Sequence, residues 1–164
     1  MKHTLSVLVE NHAGVLSRIS GLFARRGFNI DSLAVGTTAD PAVSCVTLVV
    51  DDKQNEVEQI TKQLNKLIDV IKLQDFTPEE IISRELILIK VSANDQTRSK
   101  MAELAQLAGG KIADITRNSL TVECCDTTDR LENLLELMRP YGLKRVVRTG
   151  TIALEKGSEQ LTIE

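Results

Sequence analysis

The order of hydrophobic patterns predicts an α+β fold of two ferredoxin-like βαββαβ domains in tandem. Two observations carry this. Alternating apolar runs and helical stripes succeed one another as strand, helix, strand, strand, helix, strand within residues 1–76, and the same order returns within residues 85–164. Between the copies, Thr77-Pro78-Glu79-Glu80 interrupts the pattern with a proline and paired charges, so residues 77–84 are expected to be a linker. Right-handed crossovers then fold each copy into a four-stranded antiparallel sheet of order 4-1-3-2 with both helices on one face.

In the first copy, Leu5, Val7 and Val9 share one face of a strand that ends at Glu10-Asn11-His12-Ala13-Gly14. Val15, Leu16, Ile19, Leu22 and Phe23 repeat at the spacing of one helical face, and Gly27 supplies the stop. Residues 28–35 and 43–50 are β-rich runs joined through Thr37-Thr38-Ala39-Asp40-Pro41, which reads as a hairpin connection. Asp51 and Asp52 precede a second stripe, Val57, Ile60, Leu64 and Leu67, and residues 70–76 form the fourth strand.

In the second copy, residues 86–91 are a hydrophobic strand and Asn94-Asp95 offers a helix cap. The stripe Met101, Leu104, Ala105, Ala108 stops at Gly109-Gly110. Residues 111–116 and 120–124 are expected to pair across a turn at Arg117-Asn118-Ser119. Leu131, Leu134, Leu135 and Met138 make the last stripe, stopped by Pro140 and Gly142, and residues 144–154 are a final strand. The tail after Lys156 is expected to be mobile.

Composition narrows the function classes. The chain of 164 residues carries 20 Lys+Arg against 23 Asp+Glu, and neither half is a basic arm, so no field exists to attract a phosphate backbone and nucleic acid is not an expected partner. There is no Trp, one Tyr and three Phe, so stacking platforms for bases or aromatic cofactors are scarce. Three cysteines, two of them adjacent at Cys124-Cys125, make neither a disulfide framework nor a zinc set, which points to a reducing compartment. The start has no signal-peptide pattern and no run approaches the ~18 apolar residues of a membrane span, so the expected location is the cytoplasm, without membrane contact. Each half is near the lower size limit for a stable core, so a partner is expected. The second strand, residues 28–35, lies at the sheet edge of the 4-1-3-2 order without Pro or Lys to block pairing, so an edge-to-edge homodimer is expected.

Catalytic equipment is thin. Of two histidines, His12 sits in a loop where an exposed polar role is commoner than a general base. Asp51-Asp52 suits a helix N-terminus better than Mg²⁺. Cys124 and Cys125 alternate across a strand, which buries one thiol and exposes the other. Gly109-Gly110 precedes a strand and so is a helix stop rather than a phosphate loop. No catalytic residue, metal site or cofactor site is expected in this chain.

The constellation with a physical use is Asn11-His12-Ala13-Gly14-Val15-Leu16, between the first strand and first helix. A helix N-terminus presents unpaired N–H groups and partial positive charge, and glycine lets a small anion such as an amino-acid carboxylate approach the backbone. Asn11 adds an amide, and Asn29 offers another that can accept from an α-ammonium group. If edge strands pair between chains, Asn29 and Ile30 of one meet Asn11, Gly14, Val15 and Leu16 of the other, with Leu16 and Ile30 as an aliphatic wall. Asn11 and Gly14 equally suit a simple turn.

Residues 5–19, LSVLVENHAGVLSRI, and 23–33, FARRGFNIDSL, resemble an ACT domain. Together with Ser83-Arg84-Glu85-Leu86 and residues 131–150, nearly the whole chain resembles the small regulatory subunit of acetohydroxyacid synthase (acetolactate synthase), isozyme III type. The resemblance implies a subunit without a catalytic centre that activates a large catalytic subunit, with thiamine diphosphate, Mg²⁺ and FAD on that partner and none here. It also implies feedback inhibition by a branched-chain amino acid, with valine suited to the small aliphatic wall, held between two ACT domains by Asn11, Gly14, Val15 and Leu16 of one chain and Asn29 and Ile30 of the next. A free-standing ACT-type amino-acid sensor acting on another enzyme and a ligand-free dimerisation module are the alternatives.

Overall fold

The computed structural model describes residues 1–52 and 56–158. Two compact units divide the chain: Met1–Ile82 with the segment that begins at Thr151, and Ser83–Gly150.

The first unit runs β1 (Lys2–Glu10), α1 (Val15–Arg26), β2 (Ser32–Thr37), β3 (Val43–Asp51), α2 (Glu56–Leu64), β4 (Val70–Phe76). Its sheet has the order β2-β3-β1-β4, all pairs antiparallel, as the crossover rules require. Register explains the core. Leu5 opposite Leu48 and Val7 opposite Val46 put the same face of β1 and β3 under both helices. Leu5, Val7, Val9, Val46, Leu48 and Val50 meet Val15, Ile19, Leu22 and Phe23 of α1 and Val57, Ile60 and Leu64 of α2. Each such side chain contributes about 1.5–3 kcal/mol on burial. At the end of α1, Gly27 takes φ 71°, and the N–H of Phe28 reaches back to the Phe23 carbonyl at 3.0 Å, a closure that needs the left-handed conformation glycine tolerates. Asp52 serves α2 as anticipated: its Oδ1 accepts the N–H of Glu56 at 2.7 Å.

The second unit runs β5 (Ile81–Ser92), α3 (Arg98–Leu107), β6 (Lys111–Ile115), β7 (Ser119–Asp126), α4 (Thr128–Met138), β8 (Leu143–Arg148), with sheet order β6-β7-β5-β8. Asn94 Oδ1 accepts the N–H groups of Gln96 and Thr97 at 2.9 Å each, starting the turn that leads into α3. Ile87, Ile89 and Val91 of β5 face Met101 and Ala105 of α3 and Leu131, Leu134, Leu135 and Met138 of α4. Most members of the predicted stripes are buried, whereas Leu67, Leu104 and Ala108 are partly buried and Leu16 of the α1 stripe is exposed.

Three details differ from the sequence expectations. The second strand begins at Ser32 rather than at residue 28. Phe28 and Ile30 pack on the core from outside the sheet, Phe28 meeting Phe23 edge to face at 6.4 Å. Asn29 therefore lies in the α1–β2 loop, its amide donating to Asp31 Oδ1 at 3.1 Å. The last strand is two, β8 and β9 (Ile152–Glu155), separated at Gly150 with φ 85°. β9 falls in the first unit and pairs with β5, whose first two residues also lie there; Thr151 N–H donates to Ser32 Oγ at 2.9 Å and Lys156 N–H to the Glu80 carbonyl at 2.8 Å. Residues 77–84, expected as a linker, hold a 3-10 turn at Pro78–Glu80 and the first residues of β5. The tail after Lys156 lies outside the described residues from position 159 onward. Among the described residues no helix is long and apolar enough to cross a membrane.

Candidate functional site

The loop from β1 to α1 is fixed by backbone and side-chain bonds of Asn11. Its N–H donates to the Ala42 carbonyl at 2.8 Å and its Nδ2 to the Pro41 carbonyl at 2.9 Å, so the β1–α1 loop is tied to the β2–β3 connection. Gly14 follows at φ 90°, the residue that enters α1. Its carbonyl accepts the N–H of Arg18 at 3.0 Å, the first helical bond. No side chain caps this end, and the first turn of α1 holds no acidic residue. The first-turn N–H groups therefore face outward with a partial positive charge, an arrangement suited to a small anion. A Cβ on Gly14 would stand 3.3 Å from Arg18 Nη1, so the guanidinium lies over the glycine.

The six predicted site residues fall into two groups. Asn11, Gly14, Val15 and Leu16 adjoin one another at the start of α1. Val15 is 4% exposed and belongs to the core, so only its backbone is on offer, whereas Leu16 is 44% exposed. Asn29 and Ile30 lie beyond the other end of α1, a 12-residue helix that spans roughly 18 Å. The sheet tells the same: Glu10 is opposite Val43 while Ser32 is opposite Val49, about 20 Å further along β3. One chain does not bring the two groups together. Antiparallel pairing of β2 with its own copy would, because it sets the start of one β2 beside the end of the other.

A cluster that the sequence reading did not find backs this loop. Asp69, in the turn before β4 and 4% exposed, receives Arg18 Nε on Oδ2 at 2.5 Å and His12 Nε2 on Oδ1 at 2.9 Å. His12 Nε2 also lies 3.1 Å from Glu10 Oε2, and its Nδ1 is 3.2 Å from the Ala13 carbonyl. The Arg18 hydrogen bond holds the Asp69 carboxyl below the usual carboxylate range. The Ala13 carbonyl, then Glu10, raise His12 above its ordinary value. Arg18 and Asp69 are 51 positions apart, and no local spacing announces the pair; the only sequence signal was His12 beside Glu10. Ligand atoms of Glu10, His12 and Asp69 lie within 4.8 Å of one another, a donor set that could hold a divalent cation only by giving up these bonds.

The other candidates have structural partners. His3 Nδ1 lies 3.3 Å from Asp75. Cys124 is buried and Cys125 exposed; burial pushes the Cys124 thiol up, away from the reactive thiolate. A cleft of about 360 Å³ in the second unit has Cys124 in its wall with Asp126, Arg130 and Asn133. There Arg130 Nε pairs with Asp126 Oδ2 at 2.8 Å.

Residues 5–72 match the family described as the AHAS small subunit-like ACT domain, and residues 84–157 match the family described as the small subunit of acetolactate synthase. The acetolactate synthase small subunit of Mycolicibacterium smegmatis is 48% identical over 94% of this chain and 91% of its own length. That of Bacillus subtilis is 43% identical over 98% of this chain and 94% of its own. The crystal structure of the Thermotoga maritima acetolactate synthase small subunit superimposes with a TM-score of 0.88 at 33% identity, covering 97% of this chain and 99% of that one. These likenesses support a regulatory subunit of acetolactate synthase. With two matching halves in the same order and a fold shared over almost its whole length, the chain belongs to the acetolactate synthase small-subunit family.

Proposed function

We propose that this chain is the non-catalytic regulatory subunit that activates the large catalytic subunit of acetolactate synthase and lets valine inhibit it. Thiamine diphosphate, Mg²⁺ and FAD reside, in this reading, on the catalytic partner. The observation that carries the proposal is the divided site. An uncapped helix N-terminus beside Asn11 offers a seat for a carboxylate, Asn29 offers an amide for the ammonium, and they lie at opposite ends of α1. A homodimer joined through β2, one of the two edge strands of its sheet, completes two equivalent sites, each from two chains. An effector held there favours one arrangement of the dimer, and linkage passes that preference to the catalytic partner. A coupling of about 1–3 kcal/mol corresponds to roughly 5–150-fold inhibition.

The test is pyruvate condensation by the purified cognate large subunit, with and without this chain, across a valine titration. Stimulation that valine reverses is expected. Stimulation insensitive to valine transfers the effector role to leucine or isoleucine, which differ by one methylene. No stimulation of an active large subunit overturns the proposal in favour of an amino-acid sensor with another client.

A further inference from the structure

We propose that Arg18 binds the effector carboxylate, and that Asp69 and His12 are positioning residues that hold it there and make its pull on the carboxylate depend on pH. This rests on the effector-site reading above and extends it to residues outside the six already named. An arginine on the first turns of an exposed helix ordinarily extends into water. Arg18, although 47% exposed, is turned back on the protein: its Nε donates to Asp69 Oδ2 at 2.5 Å. Asp69 is itself fixed, being 4% exposed, with its carbonyl accepting the Glu10 N–H at 3.0 Å. The bond consumes only Nε. Nη1 and Nη2 stand 3.3 and 4.0 Å from the position a Gly14 Cβ would take, and neither has a partner among the described residues. A carboxylate seated on the first-turn N–H groups therefore meets the guanidinium from its side, with one oxygen for the backbone and one for Nη1.

Protonation enters through the far side of Asp69. The charged groups that His12 meets are Glu10 from the end of β1 and Asp69 from the turn before β4, with Arg18 of α1 beyond Asp69. With His12 neutral, Glu10 and Asp69 outweigh Arg18 by one negative charge. With His12 protonated, the four groups balance and Asp69 divides its charge between two cations, so Arg18 attracts an incoming carboxylate more strongly. Effector affinity must then rise as pH falls through the His12 titration, which the Ala13 carbonyl and Glu10 place above the ordinary histidine value. By linkage, bound effector raises it further.

Calorimetric titration of the full chain with valine between about pH 6 and 9 tests this, with Arg18→Gln, Arg18→Lys, Asp69→Asn and His12→Gln beside the wild type and folding checked by circular dichroism. Arg18→Gln should weaken binding roughly 10–100-fold, and Arg18→Lys should recover part of that. His12→Gln should flatten the pH dependence, a readout that loss of packing would not produce. Asp69→Asn, which removes the carboxylate that links His12 to Arg18, should flatten the profile as well. Unchanged affinity in folded Arg18→Gln, or a wild-type pH profile in His12→Gln, overturns this inference alone. Failure of the wild type to bind valine, leucine or isoleucine overturns the effector reading and this inference with it.

Discussion

Replacing Gly14 by aspartate places a tethered carboxylate where the free one is proposed to sit. At φ 90° a residue with a Cβ costs about 1–2 kcal/mol. Against this, an acid at a helix N-terminus gains about 0.3–1 kcal/mol, and a partly exposed pair with Arg18 adds at most about 1 kcal/mol. The fold should thus lose no more than about 2 kcal/mol or gain no more than about 1 kcal/mol. Binding should fare differently. The new side chain stands beside Arg18, with its Cβ 3.3 Å from Nη1, and over the same N–H groups, so it occupies the seat and repels a second carboxylate. Two charge-assisted bonds at about 1.5–3 kcal/mol each are then forfeited, a loss of 100-fold or more in effector affinity. Urea unfolding measures the first quantity, and a valine titration of stimulated pyruvate condensation measures the second. Gly14→Ala separates charge from strain, because it shares the φ penalty and brings no carboxylate. An aspartate variant that stays as sensitive as the wild type refutes the placement; aspartate and alanine variants that fail equally refute its electrostatic basis.

Asn29→Ala should weaken valine binding without lowering the unfolding midpoint, since the exposed amide has only a local bond to Asp31 at 3.1 Å; unchanged calorimetric affinity removes Asn29 from the site. Leu131→Ala empties a position that is 0% exposed in the second unit and should cost about 2–5 kcal/mol. Tyr141, the single tyrosine of a chain without Trp, packs on that core, so its fluorescence should report the lower urea midpoint. Asp69 titrates below its unfolded value because of Arg18. The stability it confers is complete above the ordinary carboxylate pKa and is lost as pH falls through the depressed folded one, so Asp69→Asn should flatten the acid limb of stability against pH. An unaltered acid limb would show that the Arg18 bond does not stabilise the fold.

The elements were legible where one physical cause acts alone. Val15, Ile19, Leu22 and Phe23 repeat at helical spacing because one face meets a sheet, and Gly27 ends the helix because it tolerates φ 71°. The start of β2 was not legible, because Phe28 and Ile30 are apolar at alternate positions for a different reason: both drop from a loop onto the core. The break between β8 and β9 turns on Gly150 at φ 85°, in a segment whose composition is otherwise β-rich. At the site, Asn11 and Gly14 stood out because amide and glycine suit both a turn and an anion seat. Arg18 and Asp69 did not, since an arginine on a helix and an aspartate before a strand look like solvated charge. Only the sheet order, which brings the start of β4 beside the end of β1, makes them neighbours.

If each site needs two chains, breaking the dimer must break effector binding even though no residue of the seat is touched. Val35 is the place to do it. It lies on β2, at the edge of the sheet order, and is 48% exposed, so pairing with a second copy covers roughly half a valine per chain, worth about 1 kcal/mol each. Val35→Asp forfeits that twice in a symmetric dimer and puts two carboxylates into the new seam, each costing more than the apolar contact it replaces. A loss of at least about 3 kcal/mol weakens self-association more than 100-fold. Light scattering across a concentration series should then find a monomer, and calorimetry should find valine binding lost at concentrations where the wild type is dimeric. Raising the concentration until the variant pairs again should restore binding with unchanged stoichiometry, which separates a lost partner from a damaged seat. A monomer that binds valine with wild-type affinity would mean that Asn11 and Gly14 suffice without Asn29 of a second chain. A variant that remains a tight dimer would mean that the chains associate through some other surface than β2.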